Sequence, residues 1–159
     1  MVEDIFKGRI FVSKKSRELL KAAEEGNNSK IESLLSEKGK GRAYIEARDP
    51  YGRTPLMKAA FNGHIKTVRL LWEKYNANPD AKDWDGQTAL IRAVIFGHGK
   101  VVTELLNCGT DPRIKDRTGG DAIKNAMKFG QFQMINIIKN HHATLKDQPP
   151  PKIPQRPAA

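Results

Sequence analysis

The chain has 159 residues with 28 Lys and Arg, 18 Asp and Glu, and a formal net charge of +10. Its length suits one domain, and no apolar run approaches the roughly 20 residues that a membrane-spanning helix needs. The single cysteine, Cys108, excludes an internal disulfide bond and is typical of a reducing compartment, so a cytoplasmic and/or nuclear location is expected.

The excess of positive charge is spread along the chain. Residues 1–80 hold 16 basic and 11 acidic side chains, and residues 81–159 hold 12 and 7. Ordinary solvated helix faces would explain this distribution, and so would a positive surface that attracts an acidic protein segment. Nucleic acid is not the expected partner, because no recognised DNA- or RNA-binding module is present.

Residues 1–15 form an N-terminal extension. Acidic residues occur early in it and no long apolar block follows, so no secretory signal is expected. Its apolar side chains would either cover the edge of the domain that follows or have no packing role, and both readings stay open. They are Ile5, Phe6, Ile10, Phe11 and Val12.

From residue 16 the chain repeats itself. The segment Asp49–His64 recurs as Asp83–His98 after 34 residues and as Asp116–Gln131 after 33 more. A fainter copy, Leu19–Gly26, precedes them. This period indicates a solenoid of four stacked units, 16–48, 49–82, 83–115 and 116–142, in which each unit buries its apolar face against its neighbours.

Each unit is predicted to contain a turn and two short helices. Gly52 and its equivalents suit a tight turn, and Thr54 and its equivalents suit a helix N-cap. Leu56, Ala59 and Ala60 form a narrow apolar face that lets helices of adjacent units approach closely. The core face of the second helices is predicted to consist of Val68, Leu71, Trp72, Val102, Leu105 and Leu106.

These residues carry a resemblance to the ankyrin repeat family, whose consensus contains Asp-x-x-Gly-x-Thr-Pro-Leu-His-x-Ala-Ala, Gly-His and Val-x-x-Leu-Leu. It covers about 125 residues. The resemblance implies an all-α solenoid of helix-turn-helix units joined by β-turn or hairpin loops, and a non-enzymatic protein-binding function. The chain departs from the consensus histidine at Met57, Ile91 and Lys124.

In that family, partners usually contact the turn tips and the exposed side of the first helix. Carried onto this chain, the resemblance implies a groove with aromatic anchors and a basic rim, and aromatic and arginine residues dominate binding hot spots. The predicted partner-binding residues are Arg48, Tyr51, Arg53, Phe61, Asn62, Lys82, Trp84, Asp85, Gln87, Ile95, Phe96, Lys115, Arg117, Lys128 and Phe129.

Catalytic chemistry finds no support in the sequence. His64 and His98 are predicted to satisfy backbone groups at the start of the second helices. His141 and His142 have no cysteine or acidic residue at metal-ligand spacing. No phosphate-binding glycine loop or nucleophile motif occurs. The sequence therefore predicts no catalytic residue, no metal and no cofactor.

Residues 143–159 form a proline-rich tail. Pro151, Pro154 and Arg156 resemble the Pro-x-x-Pro-x-Arg ligand of SH3 domains, in which prolines fill aromatic slots and the arginine meets an acidic pocket. A plain extended tail is the alternative. The prediction is thus a monomeric protein-binding adaptor that uses its repeats; an adaptor that recruits through the tail is second, and a basic nucleic-acid-associated regulator is third.

Overall fold

A computed structural model describes residues 13–36 and 43–145, with side chains as far as His141. The described residues form helices and turns without a strand. Four helix pairs are present, as the repeat predicted. The helices are α1 (Lys14–Glu25), α2 (Asn28–Ser36), α3 (Pro55–Phe61), α4 (Ile65–Arg69), α5 (Ala89–Ile95), α6 (Gly99–Asn107), α7 (Ala122–Lys128) and α8 (Phe132–Leu145).

The first helix of each pair begins at a polar cap. The side chains of Thr54, Thr88 and Asp121 each accept a hydrogen bond from the backbone N–H three residues later, as predicted. Ser13 caps α1 in the same way. Pro55 occupies the first position of α3, where a missing N–H costs nothing. These caps define where the first helix of each repeat begins.

The helices stack in two layers. Helices α1, α3, α5 and α7 contact one another in sequence, while α4 contacts α6 and α6 contacts α8. The core runs through the whole stack and includes Leu19, Leu56, Leu90, Leu105 and Ile138, each at most 1% exposed. Short helices of this kind are marginal alone, so the inter-repeat contacts stabilise them.

The second helix of the second repeat differs from its counterparts. After α4 the chain continues in a π-helical turn over Leu70–Lys74, and the segment ends at Asn76 with a left-handed φ of 54°. The wider winding of a π turn changes the angular spacing of its side chains. Leu71 is buried as predicted, but Trp72 lies at the margin of the core and is only partly buried.

The first and last described helices reach beyond the predicted limits of the repeat domain, 16 and 142. Helix α1 begins at Lys14, two residues before the boundary at 16, and α8 extends to Leu145, beyond the boundary at 142. The predicted SH3 ligand and the apolar residues of the N-terminal extension lie outside the described residues. None of the helices in the described part of the chain is long and apolar enough to cross a bilayer.

An ion pair joins the second helices of adjacent repeats. Arg69 Nε and Nη2 donate to the two carboxylate oxygens of Glu104 at 2.8 and 2.7 Å. These hydrogen bonds lower the pKa of Glu104 below its ordinary value. A bidentate contact of this kind also restricts the relative orientation of α4 and α6.

The Glu104 contact predicts a dependence of stability on acid. Because the folded state depresses the pKa of Glu104, the pair stabilises the fold above the ordinary pKa and is lost as pH falls through the folded value. The free energy of unfolding should therefore drop between about pH 6 and pH 3, and drop less in Glu104→Gln. Urea titrations at both pH values measure this. An equal drop in the variant would contradict the assignment.

Candidate functional site

Three turns of identical construction line one side of the stack. In the first, Asp49 Oδ1 accepts hydrogen bonds from the N–H groups of Tyr51 and Arg53, both at 2.9 Å. Asp83 and Asp116 hold their own turns in the same manner. The aspartate at the start of each repeat is thus the residue that shapes the turn.

Each turn aspartate is also anchored to the first helix by the residue nine positions later. Asp49 lies 3.4 Å from Lys58 Nζ, and Asp116 accepts from Asn125 Nδ2 at 2.8 Å. Burial alone would raise the pKa of Asp116, but hydrogen bonds from Asn125 and the turn bring that pKa below its ordinary value. This pairing was not predicted from the sequence, although its constant spacing of nine residues was a readable signal.

In the third repeat this anchor is a buried ion pair. Arg92 donates through Nε and Nη2 to Asp83, and both side chains are buried. The other carboxylate oxygen of Asp83 holds the turn. The position of the turn that carries Trp84 therefore depends on a buried ion pair.

Successive turns are hydrogen-bonded to each other. The N–H of Trp84 donates to the carbonyl of Tyr51 at 3.1 Å, and that of Arg117 donates to the backbone carbonyl of Asp85 at 2.9 Å. Arg48 donates to the carbonyls of Gly52 and Lys82 at 2.7 and 2.6 Å. Lys82 in turn donates to the carbonyl of Lys115 at 2.9 Å. Arg48 and Lys82 therefore hold the turns together.

Trp84 packs directly onto the preceding turn. Gly52 has a φ of +78°, and a Cβ built on it would lie 2.6 Å from the indole ring. Only glycine allows both this backbone conformation and this close approach. The indole stays partly accessible to solvent, since the residue is 45% exposed.

Basic side chains lie close to the rings of the exposed aromatic residues in the turns. The guanidinium of Arg53 lies 4.6 Å from the ring centre of Tyr51, and that of Arg48 lies 5.5 Å from the ring of Trp84. Tyr51 itself is 63% exposed. Such cation–π contacts restrict the rings before any partner arrives, which lowers the entropy cost of binding.

A second aromatic group lies at the ends of the first helices. Phe61 and Phe96 pack with ring centres 4.2 Å apart, so Phe61 is half-buried while Phe96 stays exposed. Phe129 is exposed at the equivalent position of the last repeat, with Lys128 Nζ 5.5 Å from its ring centre. Packing between repeats and exposure to solvent therefore coexist in this group.

The other predicted residues occupy these same two regions. Asn62 donates to the carbonyl of Lys58, which closes the end of α3, and Gln87 bonds through its backbone to Asp83. Ile95 is half-buried beside Phe96. The exposed polar members are Asp85, Lys115, Arg117 and Lys128.

Tyr44 is an exposed aromatic residue that the sequence analysis missed. It precedes the first turn, is 64% exposed, and its N–H donates to Ser16 Oγ at 3.1 Å. Asn78 and Asp111 take its place in the next two repeats. An aromatic residue where the repeats otherwise carry a polar one was the signal that could have found it.

The prediction that His64 and His98 satisfy backbone groups at the start of their own second helices is wrong. His64 Nε2 lies 2.9 Å from the carbonyl of Glu24, and His98 Nε2 lies 2.8 Å from that of Phe61. Neither imidazole caps its own helix. Each ring reaches back to the preceding repeat, because the first helix of that repeat ends there with unpaired carbonyl groups.

Cys108 is a buried, free cysteine outside the turns. Burial raises the pKa of the Cys108 thiol to about 12, so the thiol is protonated at neutral pH. In the described part of the chain, no three His, Cys, Asp or Glu residues could together hold a metal ion.

Comparison with known proteins agrees with this architecture. A search of curated proteins by sequence gave no match. A family model described as ankyrin repeats, in three copies, matches residues 19–116, which is more than half of the chain. Repeats of this family are generally protein-binding modules. The matched copies cover the first three helix pairs, the fourth pair continues the stack, and the chain belongs to the ankyrin repeat family.

Proposed function

We propose that the chain is a non-enzymatic adaptor that binds a segment of a partner protein along its turns and first-helix ends. The turn surface is defined by Tyr51, Arg53, Trp84, Asp85 and Arg117. The helix-end surface is defined by Phe61, Ile95, Phe96, Lys128 and Phe129. The observation that carries the proposal is the exposure of Tyr51, Trp84, Phe96 and Phe129 on successive repeats.

The chemistry of these surfaces favours a partner with apolar anchors and acidic flanks. Exposed aromatic rings lose unfavourable contact with water when a partner covers them. Lys115, Arg117 and Lys128 supply positive charge beside the rings. Arg48 and Lys82 add charge, but their donor groups already hold backbone carbonyls. Acidic residues of a partner would thus guide orientation, while the aromatic contacts supply most of the affinity.

We expect Tyr51→Ala or Trp84→Ala to weaken partner binding by about 1–3 kcal/mol, because each removes an exposed aromatic anchor. Tyr51→Ala is the cleaner change, since Trp84 also covers Gly52. Affinity capture followed by titration of the captured partner measures the loss. The matched control is Thr103→Ala, which truncates an exposed side chain of α6 outside both surfaces. Equal losses in control and variants would argue against the surfaces proposed.

Recruitment through the tail is the second proposal, and it rests on Pro151, Pro154 and Arg156. The two proposals differ in one comparison. If the turn surface carries the main affinity, a chain lacking 147–159 keeps its partner. If that deletion loses the partner while Trp84→Ala keeps it, recruitment through an SH3 domain replaces the proposal made for the repeats.

We expect any retention of DNA or RNA to vanish near physiological salt. The basic residues are spread among aromatic ones, and contacts to phosphate alone weaken by orders of magnitude over a fourfold rise in salt. Binding of the protein partner should survive, because its central contacts are apolar. Filter binding and partner capture over the same salt series test this. Sequence-selective nucleic-acid binding at physiological salt would instead support a basic nucleic-acid-associated regulator.

A further inference from the structure

The outer face of the fourth repeat keeps apolar residues that the earlier repeats bury. Met127 is 55% exposed, whereas its equivalents Ala23, Ala60 and Val94 are completely buried. Phe132 is 67% exposed, and its equivalent Gly99 is covered by side chains of α8. Met127 and Phe132 therefore lie where a following repeat would pack. We call this region, together with Lys124 and Lys139, the end face.

In each earlier repeat, the next repeat contacts the end of the first helix. The end face contains the corresponding end of α7. The side chains of His64, His98 and Gln131 reach back to carbonyl groups at the ends of α1, α3 and α5. The equivalent carbonyl group at the end of α7 is the backbone carbonyl of Lys128. Gly63 and Gly97 are covered by the next repeat, but no described residue lies within 4 Å of a Cβ built on Gly130.

Charge distinguishes the end face from an internal repeat surface. Lys124 replaces the buried Met57 and Ile91, and Lys139 replaces the buried Leu106. Residues 117–141 contain four Lys and Arg but only one acidic residue, Asp121. A hollow of about 330 Å³ adjoins this face, lined by Thr118, Gly119, Gly120, Lys124, Asn125 and Lys128. A fifth repeat with an ordinary apolar surface would bury the charges of Lys124 and Lys139.

We propose that the end face binds an acidic amphipathic helix of another protein, in the place of a fifth repeat. Its apolar side would pack on Met127 and Phe132, and its carboxylates would pair with Lys124 and Lys139. A second copy is a poor occupant, because two chains of net charge +10 repel each other. Residues 146–159 are also basic, with Lys146, Lys152 and Arg156 against Asp147.

Fluorescence anisotropy with synthetic peptides tests this proposal on the full chain. The probe is a labelled peptide with leucines at helical spacing and glutamates elsewhere; the matched peptide has lysines in place of the glutamates. The acidic peptide should bind and the basic one should not. Met127→Glu should weaken binding by about ten-fold or more, because it places a carboxylate at the centre of the contact. Circular dichroism verifies that this exposed substitution leaves the fold intact.

Two matched controls separate the end face from other surfaces. Phe96→Glu places the same carboxylate on the helix-end surface and should change the affinity less than about two-fold. Lys124→Glu should weaken binding more than Lys66→Glu, an equal change of charge at an exposed position of α4.

Four results would overturn the proposal: no binding of the acidic peptide, equal binding of the basic one, equal losses in each variant and its control, or a dimer that Met127→Glu dissociates in sedimentation velocity. Loss with Phe96→Glu alone would place the peptide on the helix-end surface and leave the proposed function standing.

Discussion

Leu71→Asp or Leu105→Asp is expected to abolish the helical signal of the chain at room temperature. Both leucines are completely buried between repeats. An unpaired carboxylate there costs several kcal/mol, a large part of a typical total stability of about 5–15 kcal/mol. Since each repeat is stabilised by its neighbours, the loss should spread through the stack. Circular dichroism during thermal unfolding measures it.

The control for this experiment is Thr103→Asp. Thr103 lies on α6 two residues before Leu105 but is exposed, so the same carboxylate enters water. Its melting temperature should stay close to that of the unmodified chain. If Leu71→Asp and Leu105→Asp also melt normally, the core face assigned to the second helices is wrong.

Arg92→Ala is expected to destabilise the chain by about 3–5 kcal/mol, because it leaves the buried carboxylate of Asp83 without its counter-ion. Arg113→Ala is the matched comparison. It breaks the Arg113–Asp111 pair, whose arginine is 80% exposed, and should cost far less stability because water screens this pair. Urea denaturation of both variants gives the two free energies.

A double variant identifies the cause of this effect. Arg92→Met combined with Asp83→Asn removes both charges and keeps an oxygen for the N–H groups of the turn, so it should lose less stability than Arg92→Ala. Because Asp83 shapes the turn that carries Trp84, Arg92→Ala should also weaken partner binding. Equal costs for Arg92→Ala and Arg113→Ala would show that the buried pair is not an anchor.

Much of the fold is readable from local signals that recur at constant spacing. The caps at Thr54 and Thr88, the turn at Gly52 and the buried leucines at 71 and 105 each follow from a few neighbouring residues. A local preference is weak when it occurs once. Repeated every 33 or 34 residues, it specifies the same unit each time, and stacking is then the way to bury the apolar faces.

The candidate residues could be placed on the repeat from the sequence, but their contacts could not. The repeat and the resemblance to the family together named aromatic and basic residues at the turns. Whether each is free or occupied depends on residues of the adjacent repeat, as with Arg48 on the carbonyl of Lys82 and Phe61 against Phe96. These partners are about 35 residues apart in the sequence, and only the stacking of the repeats brings them together.

The last repeat of the stack shows the same division most clearly. Met127 reads in the sequence as one more apolar residue of a first helix, equivalent to the buried Val94. Its exposure follows from its place in the last repeat, where no further described unit covers it. Periodicity determines which side chains face a neighbour, and the tertiary arrangement determines whether a neighbour is there, because burial depends on the contact between two units.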